Sequence, residues 1–360
     1  MDNKEIFRDL IVVELASVLA GPAVGMFFAE LGAKVIKIEN QSTGGDVTRR
    51  WKLPTEDLND EYSAYYHSIN WGKEKVLLDL KDSEDRSQVL AWIKKADIVI
   101  SNFKANSAQK LQMDYESLKM YNPRLIYAAI TAYGDDNPAP GFDVMIQAET
   151  GWVFMNGEPD GNPVKMPVAL VDILAAHQLK QGILIALLQR QTTGKGSYVS
   201  ISLFDASIAA LANQAGNWLN ANVLPVRKGS QHPNIAPYGD IFYTKDKVGI
   251  ILGTGTQKQY EGLCECLNLE HLKTDEQFLS NSLRLANRPA LNAYLEKAIG
   301  NKIYATFQEE CNQKGVTIAP INNLEQVFKK PNAQKLVLTE TLEDGRVKKS
   351  VRTAVFKIRE

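Results

Sequence analysis

Residues Leu10 to Glu39 read LIVVELASVLAGPAVGMFFAELGAKVIKIE, and their hydrophobic pattern changes twice. The apolar run from Leu10 to Leu15 predicts a buried β-strand, and the apolar spacing from Ala23 to Leu31 predicts a helix that Gly32 ends. A second apolar run, Lys34 to Ile38, predicts another buried strand. The segment is therefore predicted to form a βαβ unit, whose two strands run parallel.

The same alternation of strand and helix continues down the chain. Predicted strands cover Lys75 to Leu80, Asp97 to Ser101, Leu125 to Ile130 and Ser197 to Ser202, and predicted helices cover Ser83 to Lys95, Ser107 to Lys119, Asp172 to Gln191 and a segment ending near Trp218. This alternation is typical of a parallel sheet with helices on both faces. The predicted fold class is therefore α/β, with a Rossmann-like sheet whose ligands bind beyond the carboxyl ends of the strands.

A second, smaller domain is predicted after a break in the apolar pattern. Prolines and glycines cluster between Asn220 and Pro237, which predicts a linker. The following pattern predicts a hairpin from Asp240 to Leu252, helices that begin at Gln257, Arg288 and Tyr304, and two strands within Leu336 to Ile358 that turn at Asp344-Gly345. The hairpin from Asp240 and the three helices are therefore predicted to form the smaller α+β domain.

Composition excludes several classes of function. The chain has 360 residues and a formal net charge of -1, so it has no general attraction to nucleic acid or to anionic lipid. The N-terminal residues are charged and no apolar run reaches the roughly 20 residues that cross a bilayer, so we expect a cytoplasmic protein without membrane association. Cys264, Cys266 and Cys311 are too few and too tightly spaced for a structural zinc site. We expect buried thiols and no bound metal.

The first βα turn lacks the signature of a dinucleotide-binding protein. Residues Ala20 to Gly25 read AGPAVG, which is not G-x-G-x-x-G, although Glu39 ends the second strand as a ribose-binding acid would. Without those glycines the backbone cannot approach a pyrophosphate closely. Gly21-Pro22 is explained as a tight helix entry with proline in the first turn, so NAD binding is not favoured.

Asp172 has two interpretations that spacing alone does not separate. It stands where the loop from Lys165 to Val171 enters a long predicted helix, so its carboxylate could cap the free amides of that helix. Helix amides and the helix dipole also hold a carboxylate ionised, which is the state of a covalent carboxylate nucleophile.

Three further features have both a functional and a structural interpretation. The segment Gly253 to Thr256 could present amides to an oxyanion, or form a plain turn with a helix cap. Lys104, Lys110 and Lys119 could face phosphates, although solvated lysines are the ordinary case. His177 is expected to be a core or interface residue, because no G-x-S-x-G motif or paired serine accompanies it.

Several segments, taken in chain order, resemble the class III coenzyme A transferases. This family includes formyl-CoA transferase, carnitine CoA-transferase and the α-methylacyl-CoA racemases. The segments that carry the resemblance are Ala20-Gly21-Pro22, Leu31 to Glu39, Gly45 to Arg49, Leu78 to Lys81, Ser101 to Phe103, Asn122 to Ile126, Asp172 and Thr193 to Gly196. Each is weak alone, but their order over nearly the whole chain is specific.

The resemblance implies a domain organisation and an assembly that the hydrophobic periodicity of the sequence does not predict. It implies a large Rossmann-like domain built from residues 1–224 and 321–360 and a small α+β domain formed by residues 225–320. It also implies that two subunits thread through each other as an interlocked homodimer.

The resemblance further implies that the chain is a CoA-transferase, with acyl-CoA as substrate and no permanently bound cofactor. Asp172 matches the family's nucleophilic aspartate and Asp143 would lie beside the thioester. Amides around Gly255 and the group at Asp143 would stabilise developing negative charge. Contacts to coenzyme A would fall at Leu19, Ala20, Asn40, Leu78, Lys81, Asn102, Phe103, Lys104 and Lys110. The implied reaction moves CoA from an acyl-CoA to a small carboxylic acid through an aspartyl anhydride and an aspartyl-CoA thioester.

Departures from the family pattern narrow this expectation. Leu19 and Asn40 replace a glutamine and an arginine typical of formyl-CoA transferases, and Gly253 to Thr256 replaces a longer glycine run, which argues against oxalate and formate as substrates. The racemases need a basic histidine directly before the residue matched by Asp143, and this chain has Phe142. Phenylalanine accepts no proton, so transfer is favoured over racemisation. The alternatives are an epimerase with another base and a non-catalytic CoA-ester binding protein.

Overall fold

A six-stranded parallel sheet forms the centre of the larger part of the chain. The computed structural model describes residues 5–342 and 345–358. The strands are β1 (Ile11–Glu14), β2 (Lys34–Asn40), β3 (Glu74–Leu78), β4 (Ile98–Ser101), β5 (Ile126–Thr131) and β6 (Ser197–Ser202). They lie in the order β3-β2-β1-β4-β5-β6, with every neighbouring pair parallel. This order is that of the Rossmann fold, so the predicted fold class is confirmed, and the direction of strand addition reverses between β1 and β4.

The pleat of the sheet sends alternate side chains into two apolar layers. The helices of this part are α1 (Ala20–Glu30), α2 (Ala64–His67), α3 (Ser83–Ile93), α4 (Ala105–Leu111), α5 (Tyr115–Leu118), α6 (Asp143–Glu149), α7 (Trp152–Met155), α8 (Leu170–Thr193), α9 (Leu203–Ala209) and α10 (Ala212–Ala221). Val12 and Ile98 pack in one layer with α1 and α8, while Val13 and Val99 pack in the other with α3. Helices therefore cover both faces, which is why the strands read as continuous apolar runs.

The segment from Ser107 to Lys119, predicted as one helix, forms two helices. It divides into α4 and α5 because Gln112 adopts a left-handed conformation with a φ of 55°. Asp114 then starts a new helix, since its carboxylate accepts a hydrogen bond from the amide of Ser117 at 3.1 Å. The segment after β6 also forms two helices, α9 and α10, where a single helix was predicted.

Helix α8 is the one helix of the described residues that is long and apolar enough to cross a membrane. Its mean hydropathy is 1.3 and 44% of its most apolar window is buried inside the protein. It packs against α1, α9 and the strands β5 and β6. Its buried face also carries Arg190, which pairs with Asp97 at 2.8 Å. The buried face of α8 is therefore part of the core of this larger part of the chain.

The chain divides into two compact units, the second of which comprises residues 154–164 and 225–331. It contains an antiparallel sheet of β7 (Tyr238–Tyr243), β8 (Gly249–Gly253) and β9 (Ile318–Pro320). Its helices are α11 (Gln257–Cys266), α12 (Asn281–Ala286), α13 (Arg288–Ile299), α14 (Tyr304–Gln313) and α15 (Leu324–Phe328), and α16 (Pro331–Gln334) follows. Three of these helices begin at the predicted residues. The sequence predicts residues 1–224 and 321–360 for the large domain and residues 225–320 for the small one, and these limits stay a prediction.

The three cysteines lie in the core of this second unit. Cys264, Cys266 and Cys311 are all buried and free of disulfides, as predicted. They pack with apolar residues such as Leu263 and Phe307, and burial raises the pKa of Cys264 to about 11. These thiols are therefore structural and unreactive at neutral pH.

The C-terminal segment returns to the first unit. Strands β10 (Val337–Thr341) and β11 (Val347–Val351) form the predicted hairpin, and Asp344 of its predicted turn lies outside the described residues. The indole of Trp71 donates to the carbonyl of Thr339 at 3.0 Å, and the carboxylate of Glu30 accepts from the amide of Thr353 at 2.8 Å. Both ends of the chain thus contribute to the first unit.

Four charged side chains are buried together at the carboxyl side of β1 and β2. Lys37 pairs with Glu14 at 3.0 Å and with Asp46 at 3.1 Å, and Lys73 pairs with Glu14 at 2.8 Å. All four side chains are completely buried. Burial lowers the pKa of Lys73 to about 7, whereas attraction to Glu14 and Asp46 overcomes burial at Lys37 and raises its pKa. We call these four residues the buried ion cluster.

Glu14→Gln is expected to lower the free energy of unfolding by about 3 to 5 kcal/mol, because it leaves two buried lysines without their shared anion. The measurement is urea denaturation. The matched control is Glu74→Gln, since Glu74 pairs with Lys34 at 3.1 Å on the surface, and we expect a loss there below about 1 kcal/mol. Equal losses in the two variants would contradict a structural role for the cluster.

Candidate active site

A cavity of about 560 Å³ opens at the carboxyl ends of the strands. The turn after β1 (residues 17–20) and the segment after β4 (residues 102–105) form one side, and residues 129–143 after β5, with Asp172, form the other. β1 and β4 are the strands between which the strand order reverses. This is the position where open α/β sheets bind their ligands.

Asp172 does not cap the helix on which it stands. Helix α8 begins at Leu170 and is preceded by Ala169, so Asp172 is its third residue. Its side chain is buried, 9% exposed, and makes no hydrogen bond to any described residue. The capping interpretation is therefore wrong. The carboxylate is held at the cavity by helix geometry alone, with its oxygens unpaired.

The environment of Asp172 favours the protonated form. Burial raises the pKa of Asp172, and the nearby charge of Asp143 raises it further, to about 7. The loss of hydration on burial therefore opposes the ionised state that helix amides and the helix dipole favour. A carboxylate with a pKa near 7 is a stronger base than an ordinary one, and half of it is ionised at neutral pH. Perturbed groups of this kind cluster at functional sites.

Asp143 performs the capping role that the sequence suggested for Asp172. It is the first residue of α6, and its Oδ1 accepts a hydrogen bond from the amide of Val171 at 2.7 Å. Its Oδ2 accepts from the side-chain amide of Gln147 at 2.6 Å, and Gln147 in turn accepts from the amide of Met166 at 2.9 Å. Asp143 therefore joins the start of α6 to the start of α8 and fixes the approach to Asp172.

The turn after β1 is held in a strained conformation. Val18 has a φ of 72°, which is unusual for a β-branched residue. Its amide donates to both carboxylate oxygens of Asp46, at 3.4 and 3.2 Å. Asn102 bonds to both the amide and the carbonyl of Ser17, at 3.2 and 2.9 Å. The buried ion cluster, through Asp46, thus shapes one wall of the cavity.

A second cavity of about 470 Å³ lies beside the first and shares Ser17 and Phe103 with it. It is lined by the end of β2 with the loop that follows, by Arg50, and by residues 78–81 after β3. Asp172 does not line it. Asp172 therefore lines only the first of the two neighbouring cavities.

Comparisons with known proteins agree on one family. A sequence model described as CoA-transferase family III matches residues 7–360. Succinate–glutarate CoA-transferase of Agrobacterium fabrum is 37% identical over 353 residues, which cover 96% of this chain and 88% of that protein. Acetyl-CoA:oxalate CoA-transferase of Acetobacter aceti is 34% identical and covers 90% of this chain and 83% of its own length.

A crystal structure of a CaiB/BaiF family protein from Brucella suis has the same fold. It superposes with a TM-score of 0.84 at 38% identity, over 98% of this chain and 93% of that one. The chain belongs to CoA-transferase family III. It is an enzyme of that family, and its substrates are therefore CoA thioesters.

Most residues expected to contact CoA line the two cavities of this CoA-transferase. Those in the first cavity are Leu19, Ala20, Asn102, Phe103 and Lys104, together with Asp143 and Asp172. Those in the second are Asn40, Leu78, Phe103 and Lys81. Both polar atoms of the Asn102 side chain are already used, because they hold the backbone of Ser17.

Two expected site residues lie elsewhere. Lys110 is exposed on α4 and lines neither cavity, whereas its neighbours Ala108 and Gln109 line the first, since only one face of that helix meets the cavity. Gly255 belongs to the second compact unit, where its amide donates to the side chain of Gln259 at 3.0 Å. His177, expected in a core or interface, is exposed on α8.

Three residues that line the cavities were not identified from the sequence. Val18 carries no sequence signal for a positive φ, and Asp46 was noted only as part of a motif. Arg50 stands one residue beyond that motif, so resemblance did not select it. Within residues 5–342 and 345–358 no group of three His, Cys, Asp or Glu side chains is placed to hold a metal ion.

Asp172→Asn is expected to stabilise the protein at pH 8. The folded state raises the pKa of Asp172 from 3.8 to about 7, so ionisation of this side chain costs folding free energy. The free energy of unfolding therefore falls as the pH rises from about 4 to about 7, and asparagine removes a loss on the order of 3 kcal/mol at pH 8. Urea denaturation at pH 5 and pH 8 measures the difference, which should shrink at the lower pH.

The matched control for this measurement is Asp135→Asn, the same change of side chain in the same cavity. Asp135 accepts hydrogen bonds from the hydroxyls of Tyr198 and Ser200, both at 2.9 Å, so its replacement is expected to destabilise the protein by about 1 kcal/mol, the opposite sign. A destabilised Asp172→Asn at pH 8 would mean that Asp172 has a structural role instead.

Proposed function

We propose that this enzyme transfers CoA between carboxylic acids through covalent intermediates on Asp172. The observation that carries the proposal is the buried, unpaired carboxylate of Asp172 at the edge of the sheet where ligands bind, in a chain of CoA-transferase family III. A side chain that costs stability to ionise and has no structural partner is explained by a role in chemistry.

The proposed reaction has two matched halves. A carboxylate oxygen of Asp172 attacks the thioester carbonyl of the donor, the carbon–sulfur bond breaks, and an aspartyl acyl anhydride and CoA thiolate form. The thiolate then attacks Cγ of Asp172, which releases the donor acid as its carboxylate and leaves an aspartyl-CoA thioester. In the second half, the acceptor carboxylate attacks Cγ of this thioester, CoA thiolate leaves again, and a second anhydride forms between Asp172 and the acceptor. The thiolate finally attacks the acceptor carbonyl of this anhydride, which gives the acceptor's CoA thioester and frees the carboxylate of Asp172. No water or net proton is consumed, so the thioester bond is conserved.

The surroundings of Asp172 suit this chemistry. Its raised pKa makes the carboxylate more basic, and burial limits the access of water that would hydrolyse the anhydride. Asp143 was expected to stabilise negative charge, but both of its oxygens accept hydrogen bonds and its charge raises the pKa of Asp172. Asp143 therefore activates and positions the nucleophile and does not bind an oxyanion.

Tyr65 is a candidate donor to the developing oxyanion. Burial, and then the charges of Asp172 and Asp143, raise the pKa of Tyr65 to about 12, so its hydroxyl stays protonated at neutral pH. Tyr65 is half-buried, and within the described residues its hydroxyl has no hydrogen-bond partner, so it is free to donate to an oxyanion. The amide of Gly255, proposed for the same task, would first have to leave Gln259.

Hydroxylamine trapping tests the covalent mechanism. During turnover with an acyl-CoA and hydroxylamine, the activated carboxyl of Asp172 should be converted to a hydroxamate, which mass spectrometry of the peptides locates. Asp143 and Asp135 line the same cavity but accept hydrogen bonds, so they are internal controls and should stay unmodified. An unmodified Asp172 in an enzyme that turns over would refute the mechanism.

We infer dicarboxylic acids as the substrate class. Several of the relatives are named for succinate, glutarate, oxalate or mesaconate, all of which carry a second carboxylate. Succinyl-CoA as donor and glutarate as acceptor are the proposed pair, while the departures at Leu19 and Asn40 disfavour oxalate. A panel of acceptor acids, read as new acyl-CoA species by mass spectrometry, should show transfer to glutarate at least tenfold faster than to oxalate or formate. Faster transfer to oxalate would contradict this choice.

Racemisation is not favoured by the site. Phe142, which stands where the racemases have a histidine, is 57% exposed and offers no base. Deuterium uptake at the α-carbon of a 2-methylacyl-CoA, in the absence of an acceptor acid, would indicate an epimerase instead.

An interlocked homodimer in the cytoplasm is the assembly and location that we infer. In support, Ile185 and Leu188 on α8 and Trp218 and Leu219 on α10 are large apolar side chains that the single chain leaves exposed. Sedimentation equilibrium should therefore give twice the chain mass of 40.0 kDa.

A further inference from the structure

The cations that line the two cavities differ in whether they are already paired. The first cavity has Lys104, and the second has Lys37, Arg50 and Lys81. Lys37 belongs to the buried ion cluster and is paired with two carboxylates. Within the described residues, Arg50, Lys81 and Lys104 take part in no ion pair, so these three are available to an anionic ligand.

The acidic residues of the second cavity do not cancel this charge. Glu39 is paired with Arg49 at 2.6 Å, and Asp46 is paired with Lys37. Asp79 turns its Oδ1 to the amide of Lys81 at 3.0 Å. Two of the three acids are thus neutralised by buried cations, and the second cavity presents Arg50 and Lys81 as free cations against the single unpaired carboxylate of Asp79.

Arg50 is held in place over the loop that follows β2. It ends a short 3₁₀ turn, and one guanidinium nitrogen donates to the carbonyl of Thr43 at 2.9 Å, on the wall of the same cavity. Four of its five N–H donors remain for a ligand. Arginine held in one orientation binds phosphate through two parallel hydrogen bonds.

Asn40 cannot supply this charge. Its side-chain oxygen accepts from the amide of Ser42 at 3.0 Å and from the Ser42 hydroxyl at 2.8 Å, so it stabilises the start of the loop. Arg50 lines the same cavity and brings a cation to a place where Asn40, the last residue of β2, is neutral.

The structure assigns Arg50 to the 3′-phosphate of the CoA substrate, an inference that rests on the proposed function. CoA carries its thioester at one end, its diphosphate in the middle and its ribose 3′-phosphate near the other end. The thioester must reach Asp172 in the first cavity, and the second cavity, which Asp172 does not line, receives the adenosine end. Lys104, next to the shared residue Phe103, is then placed for the diphosphate, and Arg50 meets the terminal phosphate.

A binding cycle between the protein and the ligand tests this assignment. Calorimetry measures the dissociation constants of CoA and of 3′-dephospho-CoA for the wild type and for Arg50→Gln. The wild type should bind CoA roughly tenfold to a hundredfold more tightly than dephospho-CoA, as expected for a charged hydrogen-bonded pair. In Arg50→Gln the ratio of the dissociation constants of dephospho-CoA and CoA should fall to nearly one, because only the binding of CoA is weakened. Arg50→Lys keeps the charge and should therefore retain part of the preference for CoA.

Arg86→Gln is the matched control, since it makes the same change of charge on α3 outside both cavities and should keep the wild-type ratio. An unchanged ratio in Arg50→Gln, or an equal loss of affinity for both ligands, would overturn the assignment. Because binding is measured without turnover, absence of a covalent adduct at Asp172 would refute the proposed mechanism and leave this result standing.

Discussion

The buried ion cluster of Glu14, Lys37, Lys73 and Asp46 is the constraint on which the active site depends. Four charges without access to water are tolerated only when each faces its counter-ion, so their positions are fixed to within hydrogen-bond distance. β1, β2 and the approach to β3 are thereby locked together. The cluster reaches the cavity through Asp46, whose oxygens hold the amide of Val18 in a conformation that valine otherwise avoids.

Asp143 and Asp172 carry the same carboxylate group, but their surroundings give the two groups different roles. Both carboxylates line one cavity, but the oxygens of Asp143 are occupied by Val171 and Gln147, whereas those of Asp172 have no partner in the described chain. The first carboxylate stabilises the junction of two helices, and its charge makes the second harder to ionise. The protein thus keeps a carboxylate whose ionisation lowers the free energy of unfolding at the place where we propose the covalent intermediate forms. Such a loss of stability for the sake of activity is common at functional sites.

Local sequence patterns predicted much of the fold and part of the site. The strands of the sheet are apolar runs because both of their faces are covered, and the helices at Gln257, Arg288 and Tyr304 begin where predicted. The break at Gln112 is not predictable from the sequence, because nothing in the local composition signals a left-handed glutamine, and the new helix start at Asp114 depends on that break. The place of Asp172 in an ordered series of motifs is enough to predict it as a site residue. Arg50 lies one residue beyond the motif from Gly45 to Arg49, so the same series does not select it.

Sequence alone determined the α/β class, the family and the nucleophile candidate, because these depend on periodicity and on residue types in a fixed order. Only the tertiary structure decided which aspartate caps α8 and which is left unpaired. That choice depends on α6 bringing Asp143 to the amide of Val171, a contact between residues 28 positions apart that no local pattern encodes. Likewise, the pairing of Lys37 and the freedom of Arg50 follow from which side chains meet in the folded core, and charge counted along the chain does not reveal it.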